Sequence, residues 1–322
     1  LWLEGISIGL IALLGLLIWM HQGFAIDWHQ LTLKDATPGG ISMGIVLVVF
    51  GFSGFESATS LGDEAQKPLK NIPKAVMRSV LQAGFFFIVM AYIEVLGFNA
   101  SSANLAESEE PLTFLADQAG VGFLGILISL GAWLSFFACI LAAINPAARV
   151  VFLMARHGVF HDALGEAHEE NMTPHTAVAL CALVTFLVPA SMNLFGLKTF
   201  ESMGYLGTIC TYGFLLVYIL VSIAAPIYLH RLQQLRFQDI VFSVSGVGFM
   251  LLPVVGTIGI PGSNLFPAPE APANVFPYLF ALYLAVGFGW FVVQRFRSPH
   301  LVKHMERSIH AIHSNHSNST EP

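Results

Sequence analysis

The stretch Phe50–Pro73 reads FGFSGFESATSLGDEAQKPLKNIP and interrupts an apolar segment at its centre. Gly51 and Gly54 weaken a helix here, and the Ser53 hydroxyl between them can bond to the backbone groups that are set free. A carboxylate, Glu56, follows directly. In hydrocarbon, unpaired peptide groups and a lone carboxylate each cost several kcal/mol, so both need a cavity, a partner or a ligand. The stretch therefore predicts a broken membrane helix and a candidate binding site.

The composition indicates that the whole chain is an integral membrane protein. Of 322 residues, 55% are apolar and 11% are charged, and the mean hydropathy is +0.71, whereas soluble domains carry about 25% charged residues. Cys139, Cys181 and Cys210 lie inside apolar runs, so we expect neither a disulfide framework nor a metal site. The expected surroundings are the lipid bilayer, and no nucleic acid partner is expected.

Apolar runs that can cross a bilayer, about 20 residues each, recur along the chain. We predict eight spans, at Leu1–Met20, Ile41–Leu61, Ala75–Phe98, Gly122–Met154, Ala177–Phe195, Gly204–His230, Ile240–Ile260 and Val275–Val293. The segment Pro111–Gly120 predicts a further, short surface helix in the loop after the third span. Residues 1–294 would form the membrane core, and the histidine-rich residues 295–322 a polar tail.

The basic residues predict the orientation, because Lys and Arg collect on the cytoplasmic side of membrane proteins. All 14 Lys and Arg residues except Lys34 and Lys198 lie at one set of span ends, those after the second, fourth, sixth and eighth predicted spans. This side is therefore predicted to be cytoplasmic, with both Leu1 and Pro322 on it, and we expect the plasma (inner) membrane as the location.

Two ordered motifs resemble a family, the amino acid/polyamine/organocation superfamily of permeases. The first is FGFSGFES at 50–57 with DEAQKP at 63–68 and NIP at 71–73, similar to the family's sixth-span signature. The second is NPAAR at 145–149 with MARHG at 154–158, similar to its eighth span. The resemblance aligns the eight predicted spans with the fifth to twelfth of a twelve-span permease.

This resemblance implies an all-α, polytopic, leucine-transporter-like fold. Such folds contain two inverted repeats of five helices, and the first helix of each repeat is broken around a midplane substrate site. Here the second predicted span would be the second broken helix. The other broken helix and three more would lie before Leu1, so we expect these missing N-terminal helices of the same polypeptide to be partners of the chain.

By the same similarity, the interruption would bind an amino acid or a related amine. Carbonyls of Phe50, Gly51 and Ser53 would face the substrate ammonium, and Phe50, Phe52 and Phe55 would line or gate the side-chain pocket, with Gly54 completing the break. The alternative from the residues themselves is a glycine-bearing helix that packs closely on its neighbours.

Two carboxylates are candidates for coupling or gating. Glu56 could relay a proton or latch a conformation, or it could be a structural carboxylate; Glu94, in the third predicted span, could act or merely pair. Proton and sodium coupling both stay open, and no other cofactor is expected. Some proton-coupled members of the family carry a lysine in the fifth span, but Leu1–Met20 contains none, so that route is unsupported.

The expected function is secondary active transport of amino acids or related amines, by symport or exchange with alternating access. The alternative is a membrane receptor or accessory protein of the same fold that does not transport. No HExxH pair, G-x-S-x-G elbow or nucleotide-binding loop indicates an enzyme. Four polar residues in other spans lie at depths from which they could reach the pocket, but we expect them to bond to neighbouring helices: Ser135, Cys139, Tyr205 and Thr208.

Overall fold

The computed structural model describes residues 2–32, 36–61, 65–101, 103–171, 173–263, 266–269 and 271–297. Throughout this part of the chain, the regular elements are helices, which confirms the all-α prediction. The predicted polar tail lies almost entirely outside the described residues. The α-helices are α1 (Trp2–His21), α2 (Trp28–Thr32), α3 (Pro38–Phe52), α4 (Pro68–Asn99), α5 (Pro111–Gln118), α6 (Gly122–Arg156), α7 (His175–Leu194), α8 (Thr199–Arg231), α9 (Phe237–Ile258) and α10 (Phe276–Arg297).

Among the described residues, seven helices are long and apolar enough to cross a membrane: α1, α4, α6, α7, α8, α9 and α10. Each corresponds to a predicted span. The second predicted span, Ile41–Leu61, differs, because it consists of the 15-residue helix α3 followed by a 3₁₀-helix over Phe55–Leu61. Its interruption is therefore confirmed, and it explains why this span falls short of membrane length.

The chain divides into two compact units, which are described separately. Unit 1 contains residues 1–36 and 54–143, and unit 2 contains residues 37–53 and 144–322. The chain passes between the units at three points, Ala36–Thr37, Ser53–Gly54 and Ala143–Ile144. The second of these points is the interruption of the second predicted span.

Unit 1 has a core where α1, α4, α5 and the start of α6 meet. Gly97 on α4 allows this packing, because an added Cβ would lie 2.7 Å from Leu115 Cδ2 and 3.2 Å from Ile18 Cγ2. Small residues at such positions let apolar helices approach closely. The predicted helix α5 is present, but its Leu115 is only 1% exposed, so one face of it belongs to the core. The core residues are Leu14, Ile18, Ile93, Phe98, Leu115, Ala116 and Ile128.

A polar cluster fixes the connection between α1 and α2 to the end of α4. The Asp27 backbone N–H donates to the Tyr92 hydroxyl at 2.5 Å, and Gln30 Nε2 donates to Asp27 Oδ2 at 3.1 Å and to the Tyr92 carbonyl at 3.3 Å. The Gln30 hydrogen bond, helped by the His29 backbone N–H, holds the pKa of Asp27 below its usual value. A charged Asp27 therefore secures this loop.

Unit 2 is centred on α8, which contacts α3, α7, α9 and α10. Its buried residues recur at helical spacing, as Ser202, Gly207, Thr211, Tyr212 and Leu215. Helix α3 begins at Pro38, and the Thr37 hydroxyl caps it by accepting the Gly40 N–H at 3.1 Å. Proline at the first helical position and a threonine cap are both favourable, so the entry of α3 is well defined.

Candidate functional site

Helix α3 ends because Ser53 redirects the backbone. Ser53 has φ −59° and ψ 136°, which is not helical, and its N–H donates to the Phe50 carbonyl at 3.1 Å. The Ser53 hydroxyl donates to the same carbonyl at 2.6 Å. The predicted role of the serine hydroxyl, to satisfy a freed backbone group, is therefore confirmed. A consequence is that the Phe50 carbonyl already accepts two hydrogen bonds.

Gly54 completes the interruption with φ +102°, a conformation that other residues rarely adopt. The chain then enters the 3₁₀-helix, in which the Ser57 N–H donates to the Gly54 carbonyl at 3.0 Å. Phe55 and Glu56 open this 3₁₀-helix and are half-buried. The Glu56 carbonyl accepts the Thr59 hydroxyl at 2.7 Å, so the turn that carries the carboxylate is internally bonded.

The carboxyl end of α3 is electrostatically negative. The last carbonyls of an α-helix have no partner within the helix, and the aligned peptide dipoles place about half a negative charge there. Ser53 satisfies one of these carbonyls, that of Phe50. Within the described part of the chain, the Gly51 carbonyl accepts no backbone hydrogen bond from beyond the helix. A cationic group is the ligand that such a helix end favours.

Open space lies beside Gly51. Within the described part of the chain, a Cβ added to this exposed glycine would come within 4 Å of no heavy atom other than its chain neighbours and its own helix backbone. Glycine carries no side chain that could cover the backbone on that side.

The Phe50 ring packs against helix α8. A Cβ added at Gly207 would lie 2.9 Å, 3.0 Å and 3.1 Å from three atoms of the Phe50 ring, so the ring rests directly on the glycine backbone. Gly207 is buried, and its carbonyl accepts the buried Thr211 hydroxyl at 2.9 Å. Sequence reasoning missed Gly207, because a glycine in an apolar span carries no signal that names its distant neighbour.

The four polar residues expected to bond to neighbouring helices behave differently from one another. The Thr208 hydroxyl donates to the Gly204 carbonyl of its own helix at 2.8 Å, so that expectation is wrong for Thr208. The Tyr205 ring does meet a neighbouring helix, with its centroid 5.3 Å from that of Phe276 on α10. Ser135 and Cys139 are exposed on α6. A hydroxyl that bonds back to its own helix is a common solution in apolar surroundings.

Glu94 lies in different surroundings from the residues of the interruption. It is half-buried near the end of α4, one residue after the core residue Ile93 and two after Tyr92, which binds the Asp27 loop. Among the described residues, no group of three His, Cys, Asp or Glu side chains is arranged to hold a metal ion. The interruption itself presents backbone polar groups, aromatic side chains and the Glu56 carboxylate.

Fold and site together define a multi-pass membrane protein with one helix interrupted between a serine and a glycine. The sequence profile of the family described as "Amino acid permease" matches residues 3–290. The chain belongs to this amino acid permease family. The resemblance drawn from the two motifs is thereby confirmed.

Several curated relatives carry transporter names. The chain is 25% identical over 264 residues to the branched-chain amino acid permease BcaP of Bacillus subtilis, covering 80% of this chain and 48% of the relative. It is 25% identical over 185 residues to the human cationic amino acid transporter 4, covering 56% and 28%. It is 22% identical over 167 residues to the methylthioribose transporter of Bacillus subtilis, covering 52% and 36%.

The chain thus spans about half the length, or less, of these curated relatives. No solved structure matches it.

Proposed function

We propose that this chain is part of a secondary active transporter that moves an amino acid or a related amine by alternating access. The observation that carries the proposal is the interruption of the second predicted span at Ser53–Gly54. Family membership and transporter-named relatives support amino acid transport in general. An interrupted membrane helix supplies the polar backbone that a zwitterion or amine needs in hydrocarbon.

In this proposal the substrate ammonium binds at the carboxyl end of α3. The negative end of the helix dipole attracts it, and Gly51, in the last turn of α3, is exposed and carries no side chain that would cover the backbone. The Phe50 carbonyl is the weaker acceptor, because Ser53 already occupies it twice. Phe50, held on Gly207, forms a fixed aromatic wall, while Phe52 and Phe55 line or gate the side-chain pocket.

The strongest test compares two glycines of α3. Gly51→Leu and Gly44→Leu both place a leucine where a Cβ meets no atom within 4 Å. The two positions are seven residues apart and therefore lie on nearly the same helix face, about two turns apart. Gly51→Leu should abolish uptake into proteoliposomes, because the side chain covers the exposed peptide groups. Gly44→Leu should retain uptake and show that insertion tolerates the change.

Equal uptake by both variants would refute the site. The assay uses the full-length polypeptide as its gene encodes it, with a panel of branched-chain and cationic amino acids. If wild-type protein binds a panel member in this assay but never transports it, the alternative, a non-transporting receptor or accessory protein, replaces the transporter.

Glu56 is the proposed coupling or gating carboxylate, and Glu94 is a second candidate. Glu56→Gln should change the pH dependence of uptake, because glutamine cannot release a proton, and Glu4→Gln at the start of α1 is the matched control. An unchanged pH profile, together with unchanged sodium dependence, would leave Glu56 a structural role. The choice between proton and sodium follows from which gradient drives uptake in the wild type.

The proposed location is the plasma membrane, with both ends of this chain in the cytoplasm. The distribution of Lys and Arg supports this orientation. Labelling of single introduced cysteines by a membrane-impermeant reagent in intact cells tests it: position 110, after the third predicted span, should react, and position 234, between α8 and α9, should not.

A further inference from the structure

The connection between α6 and α7, residues 157–174, contains two turns that are closed by histidine side chains. His161 Nδ1 accepts the Ala163 N–H at 3.2 Å. His168 Nδ1 accepts the Glu170 N–H at 3.3 Å and the Asn171 N–H at 3.4 Å. An imidazole nitrogen accepts a hydrogen bond only when it carries no proton. Both turns therefore require neutral rings.

These turns join the end of α6 to the start of α7. The 3₁₀-turn Asp162–Gly165 lies against α6, since a Cβ at Gly165 would be 3.2 Å from the Arg156 backbone nitrogen. The same turn is bonded to α7, because the Thr176 hydroxyl donates to the Ala163 carbonyl at 2.8 Å. The loop is thus a folded clasp between two membrane-length helices, and we call residues 157–174 the clasp.

The second turn of the clasp reaches α7 through two histidine rings. The His168 N–H donates to the Thr173 carbonyl at 2.8 Å, and the His168 ring meets the His175 ring edge-on, with centroids 5.4 Å apart. His175 is the first residue of α7. The amino end of a helix carries a partial positive charge, which repels a cation. A protonated His168 would lie beside this end of α7, so its charge would be disfavoured in the closed loop.

Other charged groups around the clasp provide partners for a protonated ring. Besides His161 and His168, the titratable and charged residues of the clasp and of the two helix ends that it joins are Arg156 at the end of α6, His157, Asp162, Glu166, Glu169 and Glu170 in the clasp, and His175 at the start of α7. A protonated His161 or His168 loses its backbone acceptor role but gains attraction to these four carboxylates. Protonation would therefore remove the turn-closing hydrogen bonds while adding attraction to nearby carboxylates.

We propose that the clasp is a pH-sensitive switch, closed at neutral pH and opened by mild acid on its own side of the membrane. Histidine is the side chain that ordinarily changes charge between pH 5 and 8. The charge pattern predicts that this side is the cytoplasm. The proposal concerns the conformation of the loop, so it stands or falls independently of the transported substrate.

Hydrogen–deuterium exchange on the full-length polypeptide in lipid nanodiscs tests the switch directly. Exchange in peptides that cover residues 161–171 is compared at pH 7.5 and pH 5.5, after correction for the intrinsic pH dependence of amide exchange. Loss of the turn-closing hydrogen bonds at pH 5.5 should raise corrected exchange about tenfold. Equal corrected exchange at the two pH values in the wild type would overturn the proposal, with no variant needed.

Substitutions then identify the groups responsible. The double variant His161→Asn with His168→Asn keeps a side-chain acceptor at the same position, as in ordinary Asx turns, but cannot be protonated. It should remain closed at both pH values, whereas His168→Ala should exchange rapidly at both. His230→Asn, at the end of α8, is the control and should behave as the wild type. Retention of the acid response by the double variant would assign that response elsewhere and refute the proposal.

Discussion

Helices α3 and α8 of unit 2 both carry helix-breaking residues inside an apolar segment, yet only α3 is interrupted. Helix α8 runs for 33 residues through Pro226, whereas α3 ends after 15 residues at Phe52. Proline removes one backbone hydrogen bond, and membrane helices tolerate that loss through local adjustment. The Ser53–Gly54 pair does more, because ψ 136° followed by φ +102° turns the chain out of the helical path.

A membrane helix is therefore interrupted by non-helical backbone dihedral angles, as at Ser53 and Gly54, rather than by the loss of one hydrogen bond. Ser53 also lowers the cost of the interruption, since hydroxyl and amide together satisfy the Phe50 carbonyl. Helices α6 and α9, which also contain an internal proline and remain continuous, follow the same rule as α8.

The change expected to break this comparison most strongly is Gly54→Ala. Among the described residues other than its chain neighbours, an added Cβ would come within 4 Å of Ser57 Oγ alone, at 3.9 Å, so space is available and the cost comes from the positive φ. A strained backbone of this kind costs about 1–3 kcal/mol. Uptake should fall at least tenfold and the thermal midpoint in nanodiscs should decrease.

The control for that experiment is Gly44→Ala, within regular α3 helix. An alanine there should stabilise the protein by about 0.5–1 kcal/mol, because glycine is the weaker helix former. If Gly54→Ala and Gly44→Ala shifted the thermal midpoint in the same direction, the positive φ at Gly54 would not be what makes a glycine necessary there.

An intermediate loss of uptake is expected when the contact between Phe50 on α3 and Gly207 on α8 is changed. Gly207→Ala would place a methyl group about 3 Å from the Phe50 ring, and overpacking of this kind costs about 1–3 kcal/mol. Displacing the ring should raise the KM for uptake about fivefold with a smaller change in kcat. Phe50→Leu combined with Gly207→Ala should recover part of the loss, since the smaller side chain leaves room for the methyl group.

Gly213→Ala, on the same helix, is the matched control, because its Cβ would meet no atom within 4 Å. Strictly additive effects of Phe50→Leu and Gly207→Ala would show that the contact has no influence on substrate binding.

The smallest effect is expected for Pro226→Ala in α8. The helix already continues through this residue, so alanine restores one hydrogen bond without changing the direction of the chain. Uptake should stay within twofold of the wild type, with an equal or slightly higher thermal midpoint. A loss of uptake comparable to that of Gly54→Ala would show that proline, and not backbone direction alone, shapes the functional helices.

Much of the fold was predictable because the signals are local. Length and hydropathy located the membrane helices, and Gly51, Ser53 and Gly54 located the interruption, since a residue's backbone freedom depends on its own side chain. The short helix α5 was also predicted, but not the burial of Leu115 and Ala116. A single eight-residue helix does not reveal how much of its surface a neighbour covers.

The sequence by itself determined that this protein is a multi-pass membrane protein with one span broken next to Glu56, because apolar length and glycine have the same physical consequence in any fold. Only the tertiary structure decided that Gly207 supports the Phe50 ring and that Leu115 of α5 is buried in the core of unit 1. Those outcomes depend on which segments, distant in sequence, pack together, and packing is determined by the shapes of both partners at once.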